Sequence, residues 1–266
     1  MLVIDSVHRI EQRTGWSISS ASSSETGLAV TMVYRHQLQL KFYPASFYIE
    51  GESKDSLSQK ENTPIELSYC PEKESGPSHA RSLSPIMLLI LKSLQNHVAT
   101  IIQSELTSKQ LLRFVSEAWD LATKAEEEAR MLGFHGVTNL QFSELEKPSL
   151  RARCTLLGTV SPPTDSTPLS KSQKRSKENC RIDVDFAVTT CIVARDDGNA
   201  LGVLDIQTEV IASKVYGFGT DNSKGLSEKE MRSILSKVLR GNSKSGVKFG
   251  SGVWSRAVQM LEGRVF

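Results

Sequence analysis

No apolar run in this chain of 266 residues exceeds about six positions, the longest being Ile86–Leu91. A membrane-crossing helix needs roughly 20, so none is expected, and the charged, amphipathic start does not read as a signal peptide. Charge of one sign is missing too. The 32 Lys and Arg against 30 Asp and Glu leave a formal net charge of +2. No global field therefore steers the chain toward nucleic acid or an anionic membrane, and neither is expected as a partner. Cysteine is scarce, and Cys70, Cys154, Cys180 and Cys191 include no C-x-x-C pair of the kind zinc or redox sites use. Three of them sit in or beside strand patterns, which favours buried free thiols in a reducing compartment.

Catalytic and ligand-binding signatures are missing as well. His8, His36, His79, His97 and His135 fall in five different segments, none at i, i+4 to another His or Cys, so no metal site is expected. No G-x-S-x-G elbow occurs. The stretch "YGFGTDNSKG" (216–225) has glycines but fails both phosphate patterns. Lys224 precedes Gly225 with no Ser or Thr after it, and Asn222 stands where a dinucleotide loop needs its third glycine. A loop entering a helix is the better reading, and no cofactor is expected.

What remains is a globular pattern. Hydrophobic residues make up 39% and charged residues 23%, which argues against wholesale disorder; the length allows one large or two ordinary domains. Ile4, Val7 and Ile10 have helical spacing, stopped by Gly15. Trp16 and Ile18 share a strand face. Val30, Met32 and Tyr34, then Leu38, Leu40 and Phe42, alternate on either side of the polar turn Arg35-His36-Gln37, which predicts a hairpin with one buried face. Residues 50–62 read as a polar loop, Ile65, Leu67 and Tyr69 as a strand, and "EKESGPSHARS" as another loop. Ser84 and Pro85 form a helix start, and Ile86–Leu91, apolar all round, should be buried. Thr107 with Gln110 is a capping-box pattern opening a helix whose inner face is Leu111, Leu112, Val115, Ala118, Trp119, Ala122 and Ala125. Gly133 closes it.

The second half repeats this order. Strand patterns occupy 137–145, 149–158, 181–194 and 201–216. Ser227 and Glu230 make a capping box and Leu226 and Met231 a hydrophobic staple, followed by a helix through Ile234, Leu235, Val238 and Leu239. A final helix carries Trp254, Val258 and Leu261. The reading is α+β: two tandem units, 1–133 and 134–266, each an antiparallel sheet with helices packed on one face. The Ser-, Pro- and Lys-rich segment 159–180 is expected to be a disordered loop.

Several polar clusters admit a chemical reading beside a plainer one. Asp183 and Asp185 in "RIDVDF" share a strand face and offer paired carboxylates, but the alternating Ile182, Val184 and Phe186 make them the solvent face of a strand. Glu126-Glu127-Glu128 reads as a solvated helix face. Asp196-Asp197-Gly198-Asn199 is turn chemistry without the spacing of a calcium loop. Lys171, Lys174, Arg175 and Lys177 form a basic cluster that suits an import signal, a phosphate patch or merely a solvated loop. Ser161-Pro162 and Thr167-Pro168 are weak signals for proline-directed phosphorylation.

With no chemistry to follow, similarity carries more weight. "IDSVHRIEQRTGWSI", "LAVTMVYRHQLQLKFYPASF" and "PIELSYC", with "VYGFGTDNSKGLSEKEM" and "GVWSRAVQMLEGRVF" at the far end, resemble the C-terminal RWD module of the outer-kinetochore scaffold (kinetochore null protein 1, or Blinkin, family) in its fungal form. Trp254, Val258, Leu261 and Arg264 stand at the matching spacing. The similarity is dispersed over both ends and the helix 108–132. The Y-P-x-x-x-P signature of many RWD domains is incomplete, since Tyr43-Pro44 lacks the second proline and Tyr69 is followed by Cys70.

The resemblance implies a tandem RWD fold, no catalysis, and nuclear residence at the centromere and kinetochore. It implies docking onto the MIND complex through the tail of one subunit, in support of chromosome segregation and spindle-checkpoint signalling. It also implies that the chain is the C-terminal part of a scaffold with an upstream coiled coil and its own partner there. The alternative is an RWD adaptor of another kinetochore subcomplex or of ubiquitin-type conjugation. The related conjugating enzymes commonly carry a His-Pro-Asn motif near the catalytic Cys, and none occurs here. A sheet edge can accept a partner peptide by strand addition. The partner surface is expected at strand 181–194, through Val184, Phe186 and Val188, and around Tyr216, Phe218 and Trp254, residues that fit a core equally well.

Overall fold

A computed structural model describes residues 14–24, 27–48, 62–70, 82–160, 178–195, 201–216, 227–240 and 252–265. The expected helix at 2–14, the loop at 50–62 and the loop after Cys70 fall wholly or almost wholly outside them. The fold is α+β, with two four-stranded antiparallel sheets and four α-helices among the described residues. Two compact units divide the chain: Met1–Ala122 with Thr190–Asp205, and Thr123–Thr189 with Ile206–Phe266.

In the first unit, β1 (Trp16–Ser24), β2 (Gly27–Tyr34), β3 (Leu38–Phe42) and β4 (Glu66–Tyr69) lie in that order. Cross-strand rows follow the expected alternation: Val30 pairs with Phe42, Met32 with Leu40 and Tyr34 with Leu38, and across β3 Leu40 pairs in turn with Leu67 and Leu38 with Tyr69. Leu38, Leu40, Phe42 and Tyr34 are buried, while Val30 and Met32 are half-buried.

The β2–β3 connection, Arg35-His36-Gln37, is built on a turn in which Gln37 N–H donates to Tyr34 O at 3.0 Å. Both central residues, Arg35 (φ 47°) and His36 (φ 57°), are left-handed, the geometry that matches hairpin twist but normally draws Asn and Gly. Gly15 (φ +74°) comes close to this corner, and a Cβ there would stand 2.9 Å from the Tyr34 ring.

Helix α1 (Pro85–Val98) starts as its sequence predicts, with Met87 N–H donating to Ser84 Oγ. Its residues Ile86, Leu89, Ile90 and Leu94 are fully buried, and Gln95 Nε2 donates to Leu67 O of β4 at 2.8 Å. Helix α2 (Ser108–Leu132) opens on the expected capping box. Thr107 N–H donates to Gln110 Oε1 at 2.8 Å and Gln110 N–H donates back to Thr107 Oγ1 at 3.3 Å. Its inner face includes Phe114 as well, and Leu112 is only half-buried.

Polar side chains tie β2 and its turn to α2. Tyr34 Oη donates to Asp120 Oδ1 at 3.0 Å, Arg35 pairs with Asp120 at 3.0 Å, and Trp119 Nε1 donates to Gln37 Oε1 at 3.1 Å. Burial and the Asp120 carboxylate push the Tyr34 phenol up to about 12. Thr190–Asp205 add Thr190 Oγ1 to Ser93 Oγ at 2.7 Å and Arg195 to Glu117 at 2.8 Å.

The second unit holds β5 (Val137–Ser143), β6 (Ser149–Val160), β7 (Glu178–Val193) and β8 (Val203–Tyr216), again in sequence order, with α3 (Glu228–Arg240) and α4 (Val253–Val265); the last residues of β7 and the first of β8 count with the first unit. The β6–β7 ladder runs from Ser149↔Thr189 to Val160↔Glu178. Both ends of the segment expected to be a disordered loop are therefore strand. The β-branched Thr159 and Val160 prolong the ladder; residues 161–177 lie outside the described set.

Helix α3 has its capping box, Ser227 N–H donating to Glu230 Oε2 at 2.8 Å, and that bond holds the Glu230 carboxyl below its ordinary value. The staple partner Leu226 lies outside the described residues. One expectation is overturned here. Glu128 is fully buried, not solvated, and its Oε1 accepts from the backbone N–H of Gly252 at 2.5 Å and of Val253 at 3.1 Å. It caps the start of α4, satisfying donors that a helix leaves without intrahelical partners.

Candidate docking surface

Alternation along β6 and β7 sorts the second sheet into two unlike faces. Leu150, Ala152, Cys154 and Leu156 pair with Val188, Phe186, Val184 and Ile182, and all eight are buried. Trp254 of α4 covers this face, stacked on Phe186 with ring centroids 5.8 Å apart and planes within 6°. Its indole N–H donates to Thr208 Oγ1 at 3.3 Å. Four residues expected to meet a partner, Val184, Phe186, Val188 and Trp254, are thus brought together as core. Tyr216 ends β8, with no description of its side chain, and Phe218 lies outside the described residues.

The opposite face is polar and ion-paired. Arg153 grips Asp185 with two bonds, Nε to Oδ1 at 2.6 Å and a terminal nitrogen to Oδ2 at 2.9 Å. Arg151 donates to the same Oδ2 at 2.6 Å. Asp183 accepts from Arg181 at 2.8 and 2.9 Å and from Thr155 Oγ1 at 2.8 Å. The aspartates do belong to the outer face, but they are not exposed to water. Their side chains are only 9% and 6% accessible because the guanidiniums, about half-exposed, lie over them.

The hydrogen bond from Arg153, against a smaller cost of burial, holds the Asp185 carboxyl below its ordinary value. For Asp183, burial pushes upward and is outweighed by the bonds from Arg181 and Thr155. Both stay ionised and occupied by arginine, an arrangement that suits neither a proton shuttle nor a cation site. Among the described residues no group of three or more His, Cys, Asp or Glu is gathered, and no helix is long and apolar enough to cross a membrane. All four cysteines are free thiols, and burial pushes Cys154 up to about 12.

Two features of this face are absent from the expected site. A cavity opens among Asn139 and Gln141 of β5 and Arg151 and Arg153 of β6. Beyond it the outer face turns apolar and exposed: Val137 is 68% accessible, Leu157 72%, and Phe134, just before β5, 81%. The signal was available in the alternation. Counting outward positions along β6 gives Arg151, Arg153, Thr155 and then Leu157, an apolar residue on the polar side.

Comparison with known proteins bears on the other part of the chain. Residues 4–125, just under half of the sequence, match the family described as the Knl1 RWD C-terminal domain. No curated protein matches. The four-stranded meander, α1 and the greater part of α2 fall within the matched stretch, so residues 4–125 are similar to the RWD domain of the Knl1 C-terminal kind, and that family is one of non-catalytic kinetochore scaffold domains that serve chromosome segregation in mitosis.

Proposed function

We propose that the chain is a docking module of two tandem RWD-like domains, 1–133 and 134–266, which holds an outer-kinetochore scaffold on the MIND complex by binding the tail of one of its subunits. The observation that carries this reading is the match of residues 4–125 to the Knl1 RWD C-terminal domain. The second half supports it by repeating the plan of an antiparallel four-stranded sheet followed by two helices. The module works in the nucleus at the centromere, without catalysis, and supports checkpoint signalling by keeping the scaffold in place. A further partner engages a coiled coil upstream. Val184, Phe186, Val188 and Trp254 contribute from beneath, by keeping the second sheet in shape for its outer face.

Purification of the tagged chain from mitotic cells, with partners identified by mass, tests the reading. MIND subunits should be the main recovered proteins, and reconstituted MIND should be retained by the purified chain. Recovery of ubiquitin-conjugation components with no MIND subunit would transfer the module to that pathway.

A further inference from the structure

We propose that the far end of the β7–β8 hairpin, Thr190–Asp205, is a strap that holds α1 and α2 in place, so that the first unit is complete only in a chain that carries its second half. The inference goes beyond the docking reading and does not depend on it. It starts from the length of β7. The β6–β7 ladder ends at Ser149↔Thr189, yet β7 continues to Val193, and β8 begins at Val203. Past Thr189 the two strands form a ribbon without β6 beside it, and a two-stranded ribbon alone is at best marginally stable in water. It needs a surface to lie on. Thr190–Asp205 are compact with Met1–Ala122, and Leu201 and Leu204 of this segment are buried.

Two side chains say which helices the ribbon meets. Ser93 is a buried polar residue in α1, a helix whose other buried residues are apolar. A hydroxyl in such a place is costly unless it is bonded. Ser93 Oγ donates to Leu89 O of its own helix at 2.8 Å, and Thr190 Oγ1 donates to Ser93 Oγ at 2.7 Å. On α2, Glu117 takes Arg195 at 2.8 Å while it holds Arg113 of its own helix at 2.9 Å. These bonds join residues 97 and 78 positions apart. The stretch 4–125 that matches the family therefore supplies only one side of each. Gly202 keeps the ribbon narrow. Its φ is +65°, and a Cβ there would stand 2.5 Å from Val193 O. A side chain at this position forces the ribbon apart without altering a residue of α1 or α2.

Hydrogen exchange of the full chain, read by mass on its peptides, tests the strap, because exchange reports how easily each segment opens. Two variants are set against the parent. Gly202→Val opens the ribbon. The double variant Thr190→Val, Arg195→Gln keeps its backbone and removes both side-chain bonds, and it decides the matter if Gly202→Val fails to fold. Segments 85–98 and 108–122 should exchange about threefold faster or more in each folded variant, while the β5–β6 ladder keeps the parent's rate. Faster exchange confined to 190–205, with α1 and α2 as in the parent, overturns the proposal, since the ribbon would then be a loose end of the second sheet. Equal acceleration of α1, α2 and the β5–β6 ladder overturns it too, because the segment would then support the whole chain and not the first unit.

Discussion

The two sheets share strand number, order and pairing sense, yet they use their polar side chains in opposite ways. In the first, Tyr34, Arg35 and Gln37 reach to Asp120 and Trp119, so polar bonds fasten strand to helix. In the second, Arg151, Arg153, Arg181, Asp183 and Asp185 bond to one another on the outer face. One sheet spends its hydrogen bonds on holding the fold, the other on shaping a surface. A common plan therefore does not predict a common task.

The largest expected effect probes what the sheets share, an apolar inner face. Trp254→Ala empties a fully buried site stacked on Phe186 and should cost about 3–5 kcal/mol, read by urea unfolding of the full chain. Tyr34→Phe comes next. It removes a partly buried bond to a carboxylate and should cost about 1.5 kcal/mol. The pH dependence carries a sign. The folded phenol titrates at about 12 against about 10 when unfolded. Its contribution is complete below pH 10 and disappears as pH rises through 12, and Tyr34→Phe should abolish that decline.

Asp185→Asn should have the smallest effect, at most about 1 kcal/mol at neutral pH, because its arginine partners are half-exposed. Its folded pKa is depressed, so the contribution is present above about pH 4 and fades on acidification below it. The variant should show a weaker acid-induced loss of stability. If Asp185→Asn proved as costly as Tyr34→Phe, the contrast between a fastening sheet and a surface-shaping sheet would be lost.

How legible each sheet was depends on the range of the interactions involved. Capping boxes at Thr107/Gln110 and Ser227/Glu230 span three residues, and the structure has both bonds. Alternation at Leu38, Leu40 and Phe42 fixed the buried face of the hairpin. Pairing of Arg153 with Asp185 crosses 32 positions and depends on a register that single-strand patterns do not specify, so the aspartates read as solvated. Equally, nothing local separates Glu128 from Glu127, yet one is buried and the other is exposed with Arg130. The grouping of Thr190–Asp205 with the first unit has the same origin, since it rests on partners such as Ser93, 97 positions away. Val184, Phe186 and Val188 were recognisable as one strand face, but alternation does not say whether such a face meets a helix or a partner.

The cap that Glu128 places on α4 has a kinetic consequence. Its bonds to Gly252 and Val253 close loops of 124 and 125 residues, among the longest between described residues. Closure over such distances is entropically slow to reach and rewards the chain only at the end. The start of α4 is therefore completed late, after α2 has formed and all four strands of the second sheet have been synthesised. Until then a carboxylate destined for the interior still faces water, so a nascent or truncated chain lacking its last helix has an unfinished second unit. An inverse order, with α4 protected from hydrogen exchange before α2 during refolding, would contradict that sequence of events.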